Sequence, residues 1–342
     1  MKKLAIRGFI ASLMFLSVLP VANAIENGTS ALNNPRVVSL YFKVTSTDGY
    51  QIAVTGCTGW LYAPRIVFTN GHCIYDSQKR PDKVLFDLSR ISVGVPGERT
   101  NPQASHAKVT KTFFYPTFQF YNSSPGGSLS YQDDFAVLVL DKPLSNVKTA
   151  NLLTKQLLDE LFSKDTLVST AGYGLQSKAE RDSVNYSARF VEPKFAKFKM
   201  ITFAQGMNVV NEFKSKWNRN YFQEDVVFME VPKSGPSQCD GDSGSGFYLE
   251  TNGVFTYLGV IHATIGAPNC LDEGWGSQGA IAAFRPVFMD LELINQAEEY
   301  VKLNTPAEIV KVNKTISCSK GKNIKKFTSL TPKCPKGYKR TS

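Results

Sequence analysis

From Ile25 onward the chain runs as short apolar stretches separated by Gly, Pro, Asn, Asp and Ser. Arg36–Val44, Ile66–Thr69, Phe135–Leu140, Thr166–Ala171, Val226–Val231 and Val254–Ile261 are each about strand length. They are rich in β-branched and aromatic residues and bounded by turn formers. Val137 to Leu140 are apolar without a break, the pattern of a strand covered on both faces. Asn151–Phe162 and Met289–Leu303 read as helices, and no internal repeat is evident. Many short strands with few helices predict an all-β sandwich or barrel. The segment Leu175–Asp225 receives no role from its pattern.

The two ends of the chain are different in kind. Lys2, Lys3 and Arg7 precede the apolar run Phe9–Leu19, and Ala22-Asn23-Ala24 supplies a small-x-small cleavage site, so residues 1–24 read as an export signal. The apolar run is too short to span a bilayer as a helix. The expected product begins at Ile25 and is secreted, with a body over residues 25–303 and a tail over residues 304–342. After Pro306 the tail is rich in Lys, Thr and Ser, too polar to bury much of a core alone.

The net charge of +10 changes its meaning once it is located. The signal has three cations and no acids, leaving +7. The tail has ten Lys or Arg against the single acid Glu308, so the body is near neutral at −2. A nucleic-acid partner is therefore not expected. The tail would either contact an anionic cell wall or membrane surface by salt-sensitive attraction or remain a solvated appendage. A monomer is expected.

An exported chain can keep disulfides. Its six cysteines, Cys57, Cys73, Cys239, Cys270, Cys318 and Cys334, are even in number, which favours three bridges, but spacing leaves the pairing open. No C-x-x-C spacing suggests a metal, and nothing demands a cofactor.

The strongest chemical signal is Cys239-Asp240-Gly241-Asp242-Ser243-Gly244-Ser245-Gly246. It sets a hydroxyl on a glycine-flanked turn, where the backbone can bend sharply and successive N–H groups can face one side. That suits acyl transfer: Ser243 attacks a carbonyl, and the N–H groups of Gly241 and Ser243 receive the oxyanion. Among the three histidines, His72 follows the apolar run Ile66–Phe68, His106 sits in a polar stretch, and His262 follows Leu258–Ile261. Asp134, at the mouth of the Phe135–Leu140 strand, is the candidate to orient an imidazole, with Asp133 expected in solvent. Each signal alone also fits an ordinary turn or a structural side chain. Their order, His72, Asp134, Ser243, is that of the chymotrypsin triad and not the Ser…Asp…His order of α/β-hydrolases.

With these motifs the chain resembles the trypsin/chymotrypsin family. Residues 57–73, CTGWLYAPRIVFTNGHC, are similar to that family's Cys-Gly-Gly-Ser-Leu…Ala-Ala-His-Cys block. Asp134-Phe135-Ala136-Val137-Leu138 resembles its Asp-Ile-Ala-Leu-Leu, Ala171-Gly172-Tyr173-Gly174 its Gly-Trp-Gly, and Ser237–Gly246 its nucleophile block without the closing Gly-Pro. The resemblance spans Ile25 to about Leu303. It implies two six-stranded antiparallel Greek-key barrels closed by a C-terminal helix, and a serine endopeptidase acting on protein or peptide substrates. It also implies the pairs Cys57–Cys73 and Cys239–Cys270, leaving Cys318–Cys334 to the tail. It further implies an ion pair between the freed α-ammonium of Ile25 and Asp242.

Six positions before the nucleophile, Ser237 would sit at the base of the substrate side-chain pocket, where a preference for Arg or Lys needs Asp. His262 and Thr264 would line one wall and Gly279 the other. An apolar or aromatic preference is expected, or one for Glu if His262 meets the substrate carboxylate. A non-catalytic binding protein on the same scaffold is the alternative.

Overall fold

The computed structural model describes residues 25, 27–45, 51–75, 85–94, 106–116, 133–174, 192–213, 226–233, 235–266, 277, 279–304, 314–329 and 332–341. Residues 1–24, expected to be an export signal, lie outside these residues, as do Cys270 and most of Leu175–Asp225. Strand β1 (Thr29–Ser30) precedes a first barrel of six strands: β2 (Val37–Thr45), β3 (Gln51–Ala63), β4 (Ile66–Thr69), β5 (Ile91–Gly94), β6 (Ala107–Phe114) and β7 (Ala136–Leu140). They close in the order β2-β3-β4-β7-β6-β5, each pair antiparallel.

The second half contains β8 (Asn151–Leu152), helix α1 (Lys155–Ser163), β9 (Leu167–Gly172), β10 (Lys194–Ile201), helix α2 (Phe203–Glu212), β11 (Val227–Val231), β12 (Gly246–Thr251), β13 (Val254–Ile265), β14 (Ala280–Pro286) and helix α3 (Leu291–Asn304). Strands β10-β11-β14-β13-β12-β9 run in that order, and β9 pairs back on β10, which closes a second antiparallel barrel. Strand β1 adds to β10, and β8 lies parallel to β13.

The apolar runs explain both barrels. All five residues of β7 are buried, as a break-free apolar run requires. Val38, Leu40, Leu61, Val67, Leu138 and Leu140 fill the first barrel. Phe228, Ile265 and Ile281 pack under Val209 and Val210 of α2 in the second. Between the barrels, Trp60 and Phe68 of the first pack tilted and edge-on against Tyr257 of the second, with centroids 4.7 and 5.0 Å away. Burying aromatic rings between two sheets contributes both area and ring geometry to their docking.

Two local expectations are corrected. Asn151–Leu152 is a strand, not the start of a helix; α1 begins after Thr154, whose side chain accepts from the Leu157 N–H. Asp133 is not simply solvated: its carboxylate lies 3.6 Å from the Arg285 guanidinium, which also grips Asp290. Burial opposes the charge on Arg285, but Asp290 and Asp133 outweigh it and raise its pKa.

A second compact unit covers Tyr300–Ser342. Its strands β15 (Lys314–Lys320), β16 (Asn323–Ser329) and β17 (Lys339–Arg340) form a sheet with β15 in the centre. Cys318 is bonded to Cys334, and Ile316 and Cys318 are buried.

Candidate active site

Strand β4 ends at Thr69, and the chain turns into one 3-10 turn, Gly71–Ile74, that carries His72. Cys57 of β3 is bonded to Cys73, which ties this turn to the first barrel. The sulfurs of Cys57 and Cys73 lie near the His72 ring, but being bonded to each other they are not thiolate ligands for a metal. Asp134 precedes β7, the strand paired with β4, so sheet register brings it beside His72. Its carboxylate is fully buried. One oxygen accepts the His72 backbone N–H at 2.7 Å, and the other lies 2.8 Å from His72 Nδ1. The imidazole is thus held from two directions, and its side chain keeps 18% exposure.

The turn that carries Ser243 lies on the second barrel, just before β12. Asp242 N–H donates to Cys239 and Ser245 N–H donates to Asp242, two consecutive tight turns around Ser243. Gly241 and Gly244 have φ of +93° and +86°, left-handed values that a side chain disfavours. Among the described residues, no acceptor engages the N–H of Gly241 or Ser243.

Four contacts bring this turn to the first barrel and its histidine loop. Thr58 N–H donates to the Ser243 carbonyl at 2.8 Å, and Thr58 Oγ1 donates to the Gly241 carbonyl at 2.9 Å. Asn70 Oδ1 accepts the Gly244 N–H. Cys73 Sγ sits 3.7 Å from the Ser243 carbonyl oxygen. Neither Thr58 nor Asn70 stands out in the sequence reading. The available signal was Asn70 itself, an amide where the resembled block has alanine.

Asp242 is fully buried beneath Ser243. Its oxygens accept from Gly174 N–H at 2.8 Å and Cys239 N–H at 2.9 Å. A Cβ on Gly172 or Gly174 would overlap this carboxylate, which explains the Gly-Tyr-Gly spacing. Burial pushes Asp242 up to about 7, against the pull of those two N–H groups. Ile25 is fully buried, and its carbonyl accepts the Gly28 N–H at 2.8 Å.

The pocket residues are only partly gathered. Ser237 is buried, and its neighbour Gln238 joins it to the opposite segment by accepting from Thr264 Oγ1 at 3.2 Å. Gly279 has φ of +95°, and its carbonyl faces Gly266 at the end of β13. It also borders a cleft of about 490 Å³ with Gln205, Asn208, Glu230 and Lys233. His262 occupies the β13 register shift between Ile261 and Ala263, and its side chain lies outside the described residues. Cys239 is disulfide-bonded, and Cys270 is likewise outside them.

A family model described as Trypsin matches residues 26–272. The chain belongs to the trypsin family. With two closed six-stranded barrels beneath the motifs, it is a chymotrypsin-like serine endopeptidase, and the non-catalytic alternative is set aside.

Proposed function

We propose that this trypsin-family chain is a secreted endopeptidase that works through an acyl-enzyme on Ser243. His72 serves as base and acid, and Asp134 holds it. The observation that carries the assignment is the 2.8 Å bond between His72 Nδ1 and a fully buried Asp134 carboxylate. Such a bond fixes the tautomer in which Nε2 carries no hydrogen and can accept a proton. Ser243 Oγ bonds to the scissile carbonyl carbon while its proton passes to His72 Nε2. The carbonyl oxygen gains negative charge, for which the unengaged N–H groups of Gly241 and Ser243 are suited. His72 then returns the proton to the leaving nitrogen as the C–N bond breaks. Water, deprotonated by His72, attacks the Ser243 ester and releases the acid, and the proton goes back to Ser243. Asp134 stays ionised throughout.

A buried Ser237 without a carboxylate at the pocket base argues against Arg or Lys as preferred side chains. Apolar, aromatic or Glu side chains are the proposed targets. Peptidyl phosphonate probes carrying Phe, Glu or Arg test both points together. Labelling is expected at Ser243, lost in His72→Ala, and slowest with the Arg probe. Labelling elsewhere would overturn the triad, and fastest labelling by the Arg probe would overturn the pocket.

Removal of residues 1–24 is proposed to activate the enzyme by freeing an ammonium on buried Ile25 to pair with Asp242. A buried carboxylate without a cation is costly, and a partner offsets that cost. With residues still attached before Ile25, folded Asp242 has a pKa of about 7 against an ordinary 3.8. The folded state then binds the proton more tightly than the unfolded chain. That contribution to stability is complete below the ordinary value and is lost as pH rises through 7. An Ile25-started protein is expected to outlast one with an extra N-terminal residue by a margin growing from pH 4 to 7, on the order of 3 kcal/mol at the upper end. The extended form is expected to be inactive. Equal activity of the two forms, with no pH-dependent gap in melting, would refute the pairing.

A further inference from the structure

Asn70 is almost fully buried between the barrels, and its amide reaches four groups. Nδ2 lies 2.9 Å from the Asp134 carbonyl oxygen, 3.2 Å from Asp134 Oδ2 and 3.0 Å from the Ile261 carbonyl oxygen. Oδ1 accepts the N–H of Gly244. Two of these groups, Asp134 and Ile261, lie on different barrels, and Gly244 directly follows the nucleophile.

The pattern differs from that of an ordinary interface tie. Asp134 Oδ2 faces His72 Nδ1 on one side and Asn70 Nδ2 on the other, while Oδ1 takes the His72 N–H. The carboxylate cannot rotate about its C–C bond without losing one of the three. On the nucleophile side, the Ser243 carbonyl is held by Thr58 N–H and the next peptide N–H by Asn70 Oδ1, so the plane of the peptide joining Ser243 to Gly244 is fixed at both ends. One amide therefore registers the group that orients the base against the turn that carries the nucleophile.

We propose that Asn70 is a positioning residue for acyl transfer in this chain. It fixes the Asp134 carboxylate through its N–H donors and the Ser243 turn through its oxygen. The proposal rests on the triad reading above. Asn70 itself contacts neither the substrate nor the reacting atoms.

Two variants separate positioning from packing. Asn70→Asp has the same shape and keeps an acceptor for Gly244 N–H, but it sets an oxygen against Asp134 and two carbonyls. Asn70→Ala removes both functions. The primary readout is the rate constant for phosphonate labelling of Ser243, measured where denaturant melts show each variant to be fully folded. Losing hydrogen bonds of this class is expected to slow labelling by roughly 10- to 100-fold in Asn70→Ala. The like-charge contact is expected to slow Asn70→Asp further. For peptide hydrolysis, kcat falls while KM stays within about threefold of wild type, as expected when only transition-state geometry is lost. Labelling by Asn70→Asp at or above the Asn70→Ala rate would overturn the proposal. So would both variants within threefold of wild type while Ser243→Ala and His72→Ala are inert. Persistent labelling of Ser243→Ala would instead overturn the triad on which the proposal is built.

Discussion

Asp134→Asn is expected to lower kcat by about 10⁴-fold, some 5–6 kcal/mol of transition-state stabilisation, while the protein stays folded. The size follows from what surrounds the carboxylate. Its two oxygens receive N–H groups from the His72 backbone, the His72 ring and the Asn70 side chain, all in a fully buried site. An asparagine must turn its NH₂ toward one of these donors. If it faces His72 Nδ1, the ring must accept there, which moves the hydrogen to Nε2, where Ser243 needs an acceptor. The imidazolium formed during attack also loses its counter-charge. Single-turnover hydrolysis by the variant checks the figure, and a loss below tenfold would mean that Asp134 does not orient His72.

Gly244→Ala is expected to cost at least about 4 kcal/mol of folding stability, enough to remove much of a typical domain's margin. The backbone there has φ of +86°, and a Cβ would overlap the Thr58 carbonyl and Thr69 Oγ1 and lie 3.1 Å from Thr69 Cβ. The turn cannot retreat easily, because Thr58 N–H holds the Ser243 carbonyl and Asn70 holds the Gly244 N–H. Gly253 supplies the control. It has φ of +76° in the β12–β13 hairpin after Asn252, and its Cβ would meet nothing within 4 Å. Gly253→Ala is expected to cost only the left-handed penalty, about 1–2 kcal/mol. Denaturant melts of the two variants separate crowding from backbone strain. Equal losses would mean that the Gly244 site relaxes freely.

The main outline was legible because barrels are built from strong local patterns. Ile66–Thr69 was read at its observed bounds, and Phe135–Leu140 and Val226–Val231 to within a residue at their starts. The placing of His72 beside Asp134 follows from β4 pairing with β7, a long-range register that the motif order implies and local pattern cannot. Helix α2 was missed inside the long segment Leu175–Asp225, although Thr202 and Gln205 form a capping box at its start. Asn151–Leu152 was misread because two apolar-flanked residues before a capped helix look like its first turn. Thr58 and Asn70 were invisible for a different reason. Their cross-barrel partners Gly241 and Gly244 lie more than a hundred residues away, and nothing local marks a side chain for such a contact.

That cross-barrel clasp also sets when the molecule can become dangerous to proteins, itself included. The proposed base and its carboxylate belong to one barrel and the nucleophile to the other, and Thr58 and Asn70 join them only once both are complete. A chain with one barrel folded carries half of a blade. Cutting power therefore requires both barrels to be complete and docked at this seam.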